Sequence, residues 1–162
     1  MKGAVIRRVA PAEWELLRTV RLAALQDAPF AFESTYEREL AFTEADWRLL
    51  LTTFVGFIAW MNDQPVGLVF GGRFEGAATH ERELFSMWVS PDQRGTKVAM
   101  ELVTAVKMWA KDDGAEVLAL WVNDGNDRAF RFYKKLCFTP TGKREPLVID
   151  PTVIAAELSC FL

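Results

Sequence analysis

Two stretches of this 162-residue chain carry residue types and spacings suited to chemistry. The first, Val89-Ser90-Pro91-Asp92-Gln93-Arg94-Gly95-Thr96-Lys97-Val98-Ala99, reads as the junction between a strand and a helix. Such a junction brings several backbone N–H groups without intrahelical partners, and the positive end of a helix dipole, to one spot that favours phosphate. Arg94 and Lys97 add cations there and Thr96 a hydroxyl. Neither the Gly-x-x-x-x-Gly-Lys-[Ser/Thr] loop nor the Gly-x-Gly-x-x-Gly fingerprint occurs, which turns the reading away from nucleotide hydrolysis. The second stretch places Asn126, Ala129 and Tyr133 at i, i+3 and i+7, one face of a helix, with Arg128, Arg131 and Lys135 on another. One of these faces can meet a ligand. A solvated cationic loop and a core-packed tyrosine with its hydroxyl at the surface are the plain alternatives.

These stretches must be held by a fold of modest size. At roughly 150 residues per domain, residues 1–162 form a single domain. With 51% apolar and 25% charged residues the chain has the composition of a globular protein, not of a disordered one. The most apolar segment, Leu49 to Met61, falls short of the roughly 18 residues of a membrane span, so no membrane association is expected. The N-terminus lacks a signal-peptide hydrophobic region, which makes the cytoplasm the expected location. Two cysteines without Cys-x-x-Cys spacing, Cys137 and Cys160, and one histidine, His80, leave no ligand set for a structural metal. The thiols are expected to be inert packing groups and His80 an exposed loop residue. The net charge of −3 argues against a nucleic-acid partner, although residues 94–135 carry eight basic and six acidic side chains.

Patterning places the motifs on elements. A strand over Ala4–Val9 leads to a helix from Pro11 to about Gln26, and Phe30–Leu40 reads as polar and irregular. Thr43 and Asp46 before Trp47 have the character of a helix cap. The apolar runs Phe54–Met61 and Val66–Phe74 flank the hairpin chemistry of Asn62-Asp63-Gln64-Pro65, and Arg82–Val89 is a further strand. Apolar residues at three- and four-residue steps give a helix over Val98–Asp112. The near-continuous apolar run Glu116–Val122 then implies a strand covered on both faces and a parallel crossover. A helix over Asp127–Leu136 and a strand over Ala155–Phe161 complete an α/β fold with a mixed sheet flanked by helices.

In order and spacing, Val89-Ser90-Pro91, Arg94-Gly95-Thr96-Lys97-Val98-Ala99 and Asn126-x-x-Ala129-x-x-x-Tyr133 ahead of Cys137-Phe138 resemble the signature of the GNAT superfamily of acetyl-CoA-dependent N-acetyltransferases. The resemblance runs from about Ile6 to Phe161 and is strongest from Arg82 to Phe138. It implies the GNAT-type acyl-CoA N-acyltransferase fold and transfer of an acetyl group from acetyl-CoA to a primary amine of a small molecule or protein, through direct attack in a ternary complex. A CoA-binding module of the same fold with little turnover is the alternative. The resemblance assigns Met87, Trp88 and Val89 to the pantetheine arm, with the Val89 N–H facing the carbonyl oxygen. Arg94, Gly95, Thr96, Lys97, Val98 and Ala99 fall to the pyrophosphate, Asn126 and Tyr133 to the cofactor, and Tyr133 to protonation of the departing thiolate. Glu83, on the strand feeding the site, is the leading candidate for the base, against the plain reading of an exposed strand glutamate. Lys97 and Cys137 stand where the family has glycine; the latter position often prefers a left-handed conformation.

Acceptor recognition is expected from the first helix and the loop after it. There Glu33, Glu37, Glu39, Glu44 and Asp46 form an acidic rim suited to a cationic amine, polyamine or aminoglycoside, or simply to solubility. Phe30, Phe32, Phe42 and Trp47 are candidates for an apolar pocket, or for ordinary helix packing. The sequence leaves monomer and homodimer both open.

Overall fold

The computed structural model describes residues 3–162. Seven strands, β1 (Val5–Arg8), β2 (Val55–Met61), β3 (Gln64–Gly72), β4 (Glu81–Val89), β5 (Val117–Asn123), β6 (Thr139–Pro146) and β7 (Ile154–Phe161), form one sheet in the order β1-β2-β3-β4-β5-β7-β6. Local chemistry accounts for its first half. Asn62 and Asp63, at φ 49° and 59°, supply the two left-handed residues of a tight hairpin that pairs Met61 with Gln64. All neighbours are antiparallel except β4 and β5, which run parallel as the apolar reading of β5 implied.

Helices cover both faces. On one face α1 (Trp14–Asp27) and α3 (Glu44–Thr53) pack over a core containing Leu17, Leu25, Trp47, Ile58 and Leu68. Helix α3 opens with the capping box its sequence announces: Asp46 N donates to Thr43 Oγ1 at 3.3 Å and Thr43 N to Asp46 Oδ2 at 2.8 Å. On the other face α4 (Val98–Asp112) buries Leu102, Val103, Val106 and Ala110. It lies so close to β3 that a Cβ on Gly71 would stand 2.9 Å from the Trp109 ring. Helix α5 (Asp127–Lys135) follows β5.

The site owes its position to a parting of strands in mid-sheet. Strands β4 and β5 pair only through Glu81↔Val117, Arg82↔Leu118 and Glu83↔Ala119. Buried Arg82 pins this closed end, donating from Nε to Asp113 Oδ2 at 2.8 Å and from Nη2 to Asp113 O at 2.9 Å. Further along, the β3–β4 register slips between Leu68↔Trp88 and Phe70↔Phe85, with Ser86 left-handed at φ 55°. A bulge of this kind bends a strand and increases its twist, here where β4 leaves β5.

Three expectations need correction. Strand β6 had no recognised signal, because Pro140, Gly142 and Pro146 and an exposed position at every residue describe an edge strand without alternation. The irregular segment 30–40 contains a short helix, α2 (Tyr36–Leu40), capped by Thr35. Cys137 is exposed at φ 70° rather than a packing thiol, whereas Cys160 is buried.

Candidate active site

The turn between β4 and α4 has a geometry that can cradle an anion. Pro91–Gln93 forms one 3-10 turn, Gly95 takes φ 79° with nothing within 4 Å of where a Cβ would lie, and α4 begins at Val98. The first intrahelical bond in α4 runs from Glu101 N to Lys97 O at 2.9 Å, so the N–H groups of Val98, Ala99 and Met100 precede the helical ladder. Thr96 Oγ1 accepts from Val98 N at 3.4 Å, a long contact that leaves this N–H available to a better acceptor. Lys97 lies in the right-handed region at φ −76° with its side chain exposed, so this position has no conformational need for glycine. Arg94 is tethered: its Nε donates to Val89 O at 3.1 Å and its Nη2 pairs with Asp27.

Beside the cradle β4 offers a free edge. Ser90 N donates to Val66 O at 2.9 Å, which makes Val66 and Ser90 a hydrogen-bonded pair. The next pair, Gly67 and Val89, is then non-hydrogen-bonded, and the N–H and C=O of Val89 point away from β3 into the gap before β5, where Arg94 Nε already donates to the C=O and the N–H stays open. An extended ligand can pair there like an added strand. Met87 and Val89 pack against the same core cluster that holds Val98 and Tyr133, so the structure brings these candidates to one neighbourhood. Trp88 lies on the opposite side, its Nε1 donating to Asp27 Oδ2 at 2.9 Å.

Helix α5 uses Asn126 as its cap: Oδ1 accepts from Ala129 N at 3.2 Å. Tyr133, at 7% exposure, sits between the rings of Phe132 and Phe138, with centroids 5.0 and 5.6 Å away. Burial drives its phenol well above the ordinary range and keeps it protonated.

On the α1/α3 side of the parted strands lies a cleft of about 740 Å³. Glu83 lines it and also a smaller hollow of about 220 Å³ between β4, β5 and β6. Glu83 is therefore not the exposed strand glutamate of the plain reading. Burial, with Glu157, Glu33, Glu81 and Glu145 nearby, pushes its carboxyl up to about 7. Glu157 is itself buried and held by Thr141 Oγ1 at 2.8 Å.

The acidic rim disperses. Glu39 is buried in a two-bond pair with Arg21, both contacts 2.9 Å; Glu44 pairs with Arg48; Asp46 caps α3; only Glu33 and Glu39 of the rim line the cleft. Phe32, Phe42 and Trp47 line it and also pack in the core under α1 and α3, so the pocket and the packing readings meet in them, whereas Phe30 is 81% exposed and outside it. His80 is exposed. Sequence reading missed Arg21, Phe74, Phe85, Trp121 and Glu145, which meet in the cleft from five separate segments and share no motif. The inward alternation of β4, with Glu83 and Phe85 on one face, was the one available signal for Phe85.

Among the described residues, no group of three or more His, Cys, Asp or Glu is placed to hold a metal ion. No helix among them is long and apolar enough to cross a membrane.

Comparison with known proteins fits this geometry. In sequence, the chain is 32% identical over 85 residues to an uncharacterised N-acetyltransferase of Methanocaldococcus jannaschii, covering 51% of this chain and 38% of that curated relative. This alignment thus spans well under half of the relative's length. In fold, it matches an acetyltransferase of the GNAT family from Streptococcus pneumoniae with a TM-score of 0.81, over 98% of this chain and 99% of that one at 16% identity. It also matches a Salmonella typhimurium protein solved with its cofactor acetyl-CoA, with a TM-score of 0.74, over 99% and 95% of the two chains at 17% identity. A family model for the acetyltransferase (GNAT) family matches residues 20–138, most of the chain, and the chain therefore belongs to the GNAT acetyltransferase family.

Proposed function

We propose that this chain, acting as one domain, is an N-acetyltransferase that moves an acetyl group from acetyl-CoA to a primary amine by direct attack in a ternary complex. The observation that carries the reading is the joining, across one parted pair of strands, of a phosphate cradle with an apolar cleft that holds an ionisable carboxylate. Bound acetyl-CoA supplies an activated acyl group as a thioester. The cradle suits its pyrophosphate: the N–H groups of Val98, Ala99 and Met100, the positive end of α4, and Arg94 and Lys97 offer donors and charge where Gly95 leaves open space. Met87 and Val89 offer the free edge for the pantetheine arm, with the Val89 N–H as donor to the acyl oxygen, while Trp88, assigned to the arm by the resemblance, instead faces β3 and Asp27 and fixes the strand. Thr96 and Asn126 order the turn and the start of α5, and the resemblance extends their role to the cofactor.

Glu83 accepts the proton that an ammonium must lose before its nitrogen has a lone pair. A carboxyl pushed up to about 7 is matched to that task near neutrality. The N–C bond then forms as the C–S bond breaks, Tyr133 gives its phenolic proton to the departing sulfur, and the second proton, which the acylated nitrogen sheds to become an amide, restores the phenol. Holding reactants in one place supplies much of the acceleration in such a transfer.

Thermal melting with acetyl-CoA, followed by thiol release against a panel of amines, tests the reading. Acetyl-CoA at a hundred times its Kd should stabilise the fold by about 2.7 kcal/mol. No change in melting temperature would sink the proposal; stabilisation without thiol release from any amine would reduce the chain to a CoA-binding module.

A further inference from the structure

We propose that the acceptor is a monoamine carried on an apolar body of aromatic size, with no carboxylate. This deepens the acetyl-transfer reading and rests on it. The walls define the body: Phe42 and Trp47 meet edge-on at 5.3 Å, Phe70 and Phe85 stack at 5.7 Å, Phe74 stands 5.1 Å from Phe85, and Trp121 lines the other side. Phe74 is still 40% exposed and Val148 91% exposed at the same cleft, apolar surface that a matching ligand would cover.

Charge decides the rest. Arg21 and Glu39 neutralise each other, which leaves Glu33, Glu83 and Glu145 facing Arg38, the cleft's one cation without an ion pair among the described residues. An ammonium is drawn in and a carboxylate repelled. A polyamine or aminoglycoside would need a second cation site away from the apolar walls, but beyond Glu33, Glu83 and Glu145 the acidic groups of this rim are drawn off, Glu44 by Arg48 and Asp46 by Thr43.

Initial rates with tyramine, phenethylamine, phenylalanine and spermidine test this at saturating acetyl-CoA. Tyramine and phenethylamine should each exceed phenylalanine and spermidine in kcat/KM by about tenfold or more, the effect of a misplaced charge. Phe74→Ala, at a part-exposed site that the fold tolerates, should raise the KM for tyramine about fivefold and leave the KM for acetyl-CoA within about twofold. Equal or better turnover of phenylalanine or spermidine, or an unchanged KM in the Phe74 variant, would each overturn the proposal. Should acetyl-CoA raise the melting temperature while turnover comes only from amines outside this class, the acceptor assignment falls and the donor reading stands. Should acetyl-CoA leave the melting temperature unmoved, both fall.

Discussion

Asp27, the last residue of α1, is ion-paired with Arg94 in the cradle, 67 residues further along the chain. The same Oδ2 accepts from Trp88 Nε1 at 2.9 Å, so one carboxylate ties the helix beside the apolar cleft to β4 and to the turn before α4. Asp27→Ala leaves the nearly buried Trp88 donor unpaired, at a cost of about 1–2 kcal/mol. The melting temperature should drop by roughly 2–4 °C per kcal/mol, and the KM for acetyl-CoA should rise about threefold to fivefold as Arg94 loses its tether. Asp27→Asn, which keeps an acceptor for the indole, should recover most of the stability.

Glu83 should shape the pH profile. Its carboxyl titrates near 7 and works as a base only when ionised, so kcat/KM should fall as pH drops below 7 and level off above it. In Glu83→Gln that limb should vanish and activity at pH 8 should fall by about a hundredfold. Stability runs the opposite way. A carboxyl raised on folding binds more protons in the native state between its unfolded value of 4.5 and about 7, so stability declines with rising pH across that window. Glu83→Gln should therefore melt a few degrees higher than the parent at pH 8 and show little difference at pH 4.5. Parallel melting curves at all pH values would show that burial does not strain this group.

Tyr133 is enclosed by Phe132 and Phe138 and holds its proton at all working pH values. Tyr133→Phe preserves the packing and should lower kcat by about a hundredfold or more, with the KM for acetyl-CoA within about twofold. No alkaline limb from this phenol should appear below pH 10. A variant with undiminished kcat removes Tyr133 from the mechanism.

Cys137 holds φ 70°, a conformation that costs an L-residue about 1 kcal/mol and glycine almost nothing. Its side chain is exposed, so replacement leaves no cavity. Cys137→Gly should raise the melting temperature by about 2–4 °C. Chemical denaturation should show a higher midpoint with an unchanged slope.

What the sequence determined by itself was whatever depends on a few adjacent residues. Asn62-Asp63 dictated its hairpin because the backbone there must turn left-handed twice. Thr43 and Asp46 capped α3 because their side chains reach each other's N–H groups. Apolar spacing set α4 at Val98–Asp112, and Pro91 to Gly95 marked the cradle before it. Only the tertiary structure decided the apolar cleft. Strand β6 exists through its pairing with β7 and not through any pattern of its own, and it carries Glu145 into the cleft. The environment of Glu83 is made by Glu33, Glu145 and Glu157, from segments that meet only once the sheet is assembled. Burial and electrostatic fields are sums over neighbours in space, and no stretch of chain encodes those neighbours locally.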